Sequence, residues 1–80
     1  MKKSEIRAKI LESLMDIDDT VDYEHETALV TDRILDSFAI ISLVGDLEDA
    51  FGVEITTPQM VPENFDSLDG MTAMVERLMQ

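Results

Sequence analysis

Apolar residues along the chain fall into three stretches with helical spacing, separated by segments that lack it. In the middle stretch Phe38, Ile41, Val44, Leu47 and Phe51 recur at steps of three and four, the spacing of one buried helical face. Asp36 stands just before this run, where a short carboxylate can cap free N–H groups. Gly52 stands just after it, where a left-handed residue closes a helix. These signals predict a helix over residues 37–51. Upstream, Ile6, Ile10, Leu11 and Leu14 share a face, while Lys9, Glu12 and Ser13 fall mostly outside it. A helix over residues 4 to about 15 follows, with Ser4 as N-cap and Glu5 at the positive end of the dipole. Downstream, Leu68, Met71, Val75 and Leu78 predict a last helix from about Ser67 to Met79, capped by Ser67 or Asp66. On propensity alone, Gly70 in its first turn costs about 1 kcal/mol relative to Ala. The expected fold class is all-α, a small helical bundle of three main helices plus one short helix. The 37–51 helix has the widest apolar arc and should be the most enclosed. Cutting Ile41, Val44 or Leu47 back to Ala should then cost roughly 2–5 kcal/mol.

The connections differ in character. Residues 16–36 form the longest, with Asp16, Asp18, Asp19, Asp22, Glu24 and Glu26 crowding its first half. Like charges at that density oppose compact local structure. A connection this long normally packs or functions, and Leu29, Val30, Ile34 and Leu35 are its expected anchors. Residues 52–64 are punctuated by Gly52, Pro58 and Pro62. Pro62 suits the first position of a short helical turn through Asn64.

Composition narrows the picture. Eighty residues fit one small domain over 1–80, and a chain of that size buries only about 60–65% of its unfolded surface. Without cysteine there is no disulfide staple and no thiolate metal site, so helix packing must carry stability. The net charge is −12, from 18 acidic and 6 basic residues. Four of those six, Lys2, Lys3, Arg7 and Lys9, lie in the first nine positions. Such a surface repels phosphate backbones and anionic membranes. It suits partners with basic docking patches, or it simply maintains solubility. The first residues are charged and amphipathic, unlike a secretory leader, and no run is long enough to span a bilayer, so a cytoplasmic location is expected.

Candidate chemistry centres on Ser37, placed at the entrance of the middle helix with its hydroxyl expected to face solvent. An anion attached there would meet free N–H groups and the positive end of the dipole. A nucleophilic role would need a base and an orienting group. The one histidine, His25, lies in the acidic loop, and no Gly-x-Ser-x-Gly elbow is present. An enzyme is therefore not expected. Oxygen side chains at Asp16, Asp18, Thr20, Asp22 and Glu24 echo a calcium loop, but Val21 stands where the central Gly belongs and Thr27 where the terminal Glu belongs. No dedicated metal site is expected. Met15, Met60, Met71, Met74 and Met79 fit either core gap-fillers or a deformable pocket.

Leu35-Asp36-Ser37-Phe38, then Ile41, Leu43, Val44, Leu47, Glu48, Phe51, Gly52, Val53 and Ile55, resembles the core signature of acyl carrier proteins. The tripeptide is common by itself. The distinctive part is its combination with a helix of this length ending in Glu-x-x-Phe-Gly-Val-x-Ile. Pro62-Glu63-Asn64-Phe65-Asp66-Ser67-Leu68 also resembles the start of that family's last helix, and the likeness runs from about Ile6 to Leu78.

The resemblance implies a non-catalytic carrier with 4′-phosphopantetheine, donated by coenzyme A, on Ser37. Asp36 would serve as cap and in recognition by a phosphopantetheinyl transferase. Further partners would be an acyl- or aminoacyl-activating ligase and downstream synthase or transferase enzymes, with the chain acting as a monomer. Transient docking is expected on the second helix and the loop before it, with Phe38, Ala39, Ile40, Ser42, Leu43, Asp46, Glu48 and Asp49 as the helix positions. Fatty-acid members of the family usually carry carboxylates two and five residues after the serine, whereas Ala39 and Ser42 stand there. The chain therefore looks closer to specialised acyl or aminoacyl carriers. Arg33 is a second departure, since many relatives have Gly shortly before this run. A turn needing positive φ would strain Arg33; otherwise it could be a counter-charge for Asp32 or Asp36. The alternative reading is an acidic helical protein–protein interaction module that is never modified.

Overall fold

The computed structural model covers residues 1–80. It is all-helical: α1 (Lys3–Ile17), α2 (Ser37–Phe51), a 3₁₀ turn (Thr57–Gln59), the short α3 (Pro62–Phe65) and α4 (Leu68–Met79). α1 packs against both α4 and α2, and α3 leans on α4. The helices and their order match the sequence reading, with changes at their ends.

α1 starts at Lys3 with Lys2 in the N-cap position, and no side chain caps it, so Ser4 is already inside the helix. It continues to Ile17, past the predicted end. Asp18 N–H closes it on Leu14 O at 3.0 Å, and the buried Tyr23 hydroxyl lies 2.6 Å from Asp18 O and 3.1 Å from Leu14 O. A phenol has one proton to give, so it is shared between two carbonyls at the end of α1. Burial raises the Tyr23 pKa, and Asp18 and Asp19 add to the rise.

α2 has the ends expected of it. Ala39 N–H donates to Asp36 Oδ1 at 2.8 Å, and Gly52 closes the helix at φ 64. Its rotation differs from the expectation. Leu43 and Leu47 are fully buried, and Ala39, Ile40, Val44 and Phe51 pack partly against the core. Phe38 is 82% exposed and Ile41 66% exposed. The spacing 40, 43, 44, 47, 51 is as helical as 38, 41, 44, 47, 51, and burial selects the first. Truncation of Ile41 therefore does not carry the core penalty expected for it.

α4 is the most enclosed element, not α2: Leu68, Met71, Thr72, Met74 and Val75 are buried. Met71 and Met74 are thus core, while Met15, Met60 and Met79 keep large exposed areas. Thr72 satisfies its hydroxyl on Leu68 O at 2.8 Å, and no buried side-chain polar atom lacks a partner. Ser67 supplies the cap, accepting from Gly70 N–H at 2.9 Å. A Cβ on Gly70 would stand 2.8 Å from Glu63 O. Gly70 is needed where α3 meets α4, and that contact outweighs its poor helix propensity.

Candidate functional site

The start of α2 is built by what precedes it. The chain between α1 and α2 is irregular but firmly tied. Tyr23, Leu29 and Leu35 are buried in the core. Leu29 N–H donates to Asp66 O at 2.9 Å, Asp32 N–H to Ala28 O at 2.8 Å, and Leu35 N–H to Leu29 O at 2.9 Å. The Asp66 carboxylate takes three more donors from this loop. Val30 N–H and Thr31 N–H reach Oδ1 at 2.9 and 2.8 Å, and the Thr31 hydroxyl reaches Oδ2 at 2.7 Å. The Thr31 hydroxyl and then its amide lower the Asp66 pKa; burial opposes them, and the Val30 amide adds a lowering smaller than that opposition. Between these anchors Arg33 adopts φ 59, the one non-glycine residue with positive φ. The turn before Asp36-Ser37 does need a left-handed residue, and Arg33 bears the strain.

Ser37 emerges from this as the first, exposed residue of α2. Asp36 takes up the Ala39 amide with its side chain and the Ile40 amide with its carbonyl, at 2.8 and 3.0 Å. The amides of Ser37 and Phe38 stay free, so two donors stand beside the Ser37 hydroxyl. Two hollows flank the helix start. One is an apolar cavity of about 130 Å³ lined by Val30, Ile40, Met60, Val61, Pro62 and Phe65. The other is a broader acidic groove between the end of α1 and the start of α2, with Asp16, Asp18 and Asp36 on its walls beside Phe38, Ala39 and Ser42.

The docking positions expected on α2 divide. Phe38, Ser42, Asp46 and Asp49 are exposed. Leu43 is fully buried and cannot touch a partner. Ala39 and Ile40 are half-buried, and Ile40 lines the cavity. Glu48 is half-buried and occupied, its Oε2 accepting from Ile55 N–H at 2.9 Å to hold the turn after α2. Two residues missing from the expected set face outward instead, Ile41 and Gly45. For Gly45 the signal was in the polar positions. At 100° per residue Ser42, Gly45, Asp46 and Asp49 mark the solvent side of α2, and Phe38 stacks one turn above Ser42 within that sector.

The remaining candidates are resolved locally. His25 is exposed in the loop, its Nδ1 2.8 Å from Asp22 Oδ2. Asp18 turns back onto the Thr20 amide and hydroxyl, at 2.9 and 2.6 Å, with its pKa lowered first by the hydroxyl. No group of three or more His, Asp or Glu side chains converges as metal ligands do. Arg7 bridges to Asp69 at 3.1 Å and Glu24 at 3.3 Å, joining α1 to α4 and the loop. No helix is long and apolar enough to cross a membrane. No protein-family model and no curated protein matches the chain.

Proposed function

We propose that the chain is a carrier protein holding acyl or aminoacyl groups as thioesters on a 4′-phosphopantetheine arm attached to Ser37. The observation behind this reading is the placement of Ser37. It is exposed at a side-chain-capped helix start, with two unbonded amides beside it. A phosphodiester there is an anion at a helix N-terminus, which the dipole and the free N–H groups favour. The neighbouring Asp36 carboxylate opposes that anion, but its Oδ1 is engaged on Ala39 N–H. The thiol that carries the cargo belongs to the arm, which supplies the chemistry the chain lacks.

Catalysis lies with partners: a phosphopantetheinyl transferase, an activating ligase, and enzymes that work on the loaded thioester. They dock on the outward strip of α2. Phe38 and Ile41 offer apolar area next to the arm. Gly45, with open space where a Cβ would stand, lets a partner's backbone come close. The acidic residues Asp46 and Asp49 rim that strip and favour partners with basic patches. The neutral Ala39 and Ser42 near the arm favour specialised acyl or aminoacyl activation over ordinary fatty-acid synthesis. The exposure of Phe38 and Ile41 taken alone also fits a binding module that is never modified.

Intact mass separates the two. The chain is incubated with coenzyme A and a broad-specificity phosphopantetheinyl transferase, alongside Ser37→Ala. One adduct on the parent and none on Ser37→Ala is the expected result. A folded parent without adduct, across more than one transferase, overturns the carrier reading and leaves the unmodified module.

A further inference from the structure

We propose that Asp66 is a positioning residue for Ser37, holding the loop before α2 in the one geometry that presents the serine to its modifying enzyme. This rests on the carrier reading above. Asp66 does not touch Ser37. It acts through a continuous series of bonds. Both carboxylate oxygens and the backbone carbonyl are filled by three consecutive residues of the loop, Leu29, Val30 and Thr31. Leu29 O then accepts from Leu35 N–H at 2.9 Å, which closes the loop onto itself immediately before Asp36. Asp36 caps α2 and fixes the direction in which Ser37 leaves the surface.

The anchor is itself tied down by its neighbours. Asp66 N–H donates to Pro62 O at 2.8 Å at the end of α3, between the buried Phe65 and the α4 cap Ser67. The strain at Arg33 supports the same conclusion. A non-glycine residue stays at φ 59 only where both ends of its turn are held. Here the hold is Asp66 on one side and the buried Leu35 on the other. A carboxylate between two short helices could be satisfied by water alone. This one instead collects three N–H or O–H donors from a segment 35 or 36 residues away in sequence.

The consequence is a split in kinetics. Docking on Phe38 and Ile41 does not involve Asp66, so removing the carboxylate leaves KM for the carrier nearly unchanged and lowers kcat. A misplaced reacting group of this kind costs roughly tenfold or more. The variants are Asp66→Ala, Asp66→Asn, Thr31→Val and Leu78→Ala. They are assayed as full chains, well below their melting temperatures, for adduct formation from coenzyme A, with amide hydrogen exchange in parallel. Asp66→Ala should lose kcat and show faster exchange at Leu29, Val30, Thr31 and Leu35. Asp66→Asn, whose Oδ1 accepts the same two amides, should recover most of both. Thr31→Val removes only the hydroxyl's bond and should show a smaller loss of the same kind; it carries the test if Asp66→Ala does not fold. Leu78→Ala trims a half-buried side chain near the end of α4, at the opposite end of that helix from Asp66, and should keep the parental kcat. An unchanged kcat in both Asp66→Ala and Thr31→Val, or an equal loss in Leu78→Ala, overturns the proposal while the carrier reading stands. A parent chain that takes no adduct overturns both.

Discussion

Leu43 and Ile41 stand two residues apart on one helix, and the rotation of α2 gives them opposite fates. Leu43 is fully buried, whereas Ile41 is 66% exposed. Leu43→Ala removes three carbons from a filled site and should cost about 2–5 kcal/mol, the range for buried Leu→Ala changes. Ile41→Ala loses only the third of the side chain that is covered. Fully burying such a side chain is worth about 1.5–3 kcal/mol, so the loss is about 0.5–1 kcal/mol. Replacing a β-branched residue by Ala in a helix returns about 0.4 kcal/mol. The net effect on Ile41→Ala should stay within about 0.5 kcal/mol.

These differences are easily read by thermal unfolding. At about 2.1 cal/mol/K per residue, a chain of 80 residues unfolds with an entropy of about 170 cal/mol/K, so each kcal/mol moves Tm by about 6 °C. Leu43→Ala should therefore melt about 12–30 °C below the parent, and Ile41→Ala within about 3 °C of it. Circular dichroism melts at two protein concentrations, supported by urea titration, measure both. Ile41→Ala as damaging as Leu43→Ala at both concentrations would refute the packing of α2 described here. It would instead favour the face read from the 38, 41, 44 spacing. A loss for Ile41→Ala that grows with protein concentration would place that residue in a self-association interface.

Two further expectations test the loop. Arg33→Gly relieves a left-handed residue worth about 1–2 kcal/mol and adds about 0.4–1 kcal/mol of unfolded-chain entropy, so it should leave stability equal or raise it by up to about 1.5 kcal/mol. A fall in the urea midpoint would mean that the Arg33 side chain makes a contact that outweighs the strain. Tyr23→Phe should cost about 0.5–1.5 kcal/mol at neutral pH, through the bonds lost to Asp18 O and Leu14 O. Because the folded chain holds the Tyr23 proton more tightly than the unfolded one, that contribution is whole below the ordinary value of 10.0 and fades as pH rises through the raised folded value. Melts from neutral to alkaline pH should show the parent losing its advantage over Tyr23→Phe, and a constant gap would refute the assignment.

Much of this architecture was legible in the chain because its signals are local. Asp36 and Gly52 bracket α2, and each acts on amides or carbonyls within a turn of itself, so residue type and position suffice. Pro62 set the start of α3 in the same way. What escaped depends on contacts between elements, beyond a single helical turn. Two rotations of α2 have equal helical periodicity, and only the positions of α1, the loop and the cavity wall decide that Leu43 goes in and Phe38 stays out. Gly70 reads as a defect until Glu63 O is found where its Cβ would be. Asp66 reads as a possible cap for α4, yet it binds a loop more than thirty residues away and leaves the cap to Ser67. The serine proposed for modification belongs to both classes. Its place at a helix start is written in its neighbours, but the loop that aims it is held by Asp66 on the far side of the sequence. Arg33 joins the two. Its left-handed turn was open to suspicion only through the family resemblance, where Gly is usual, and its persistence fits the long-range bonds on either side. If Asp66 positions Ser37 as proposed, the strain kept four residues before that exposed serine is part of what sets its direction, in addition to the helix cap.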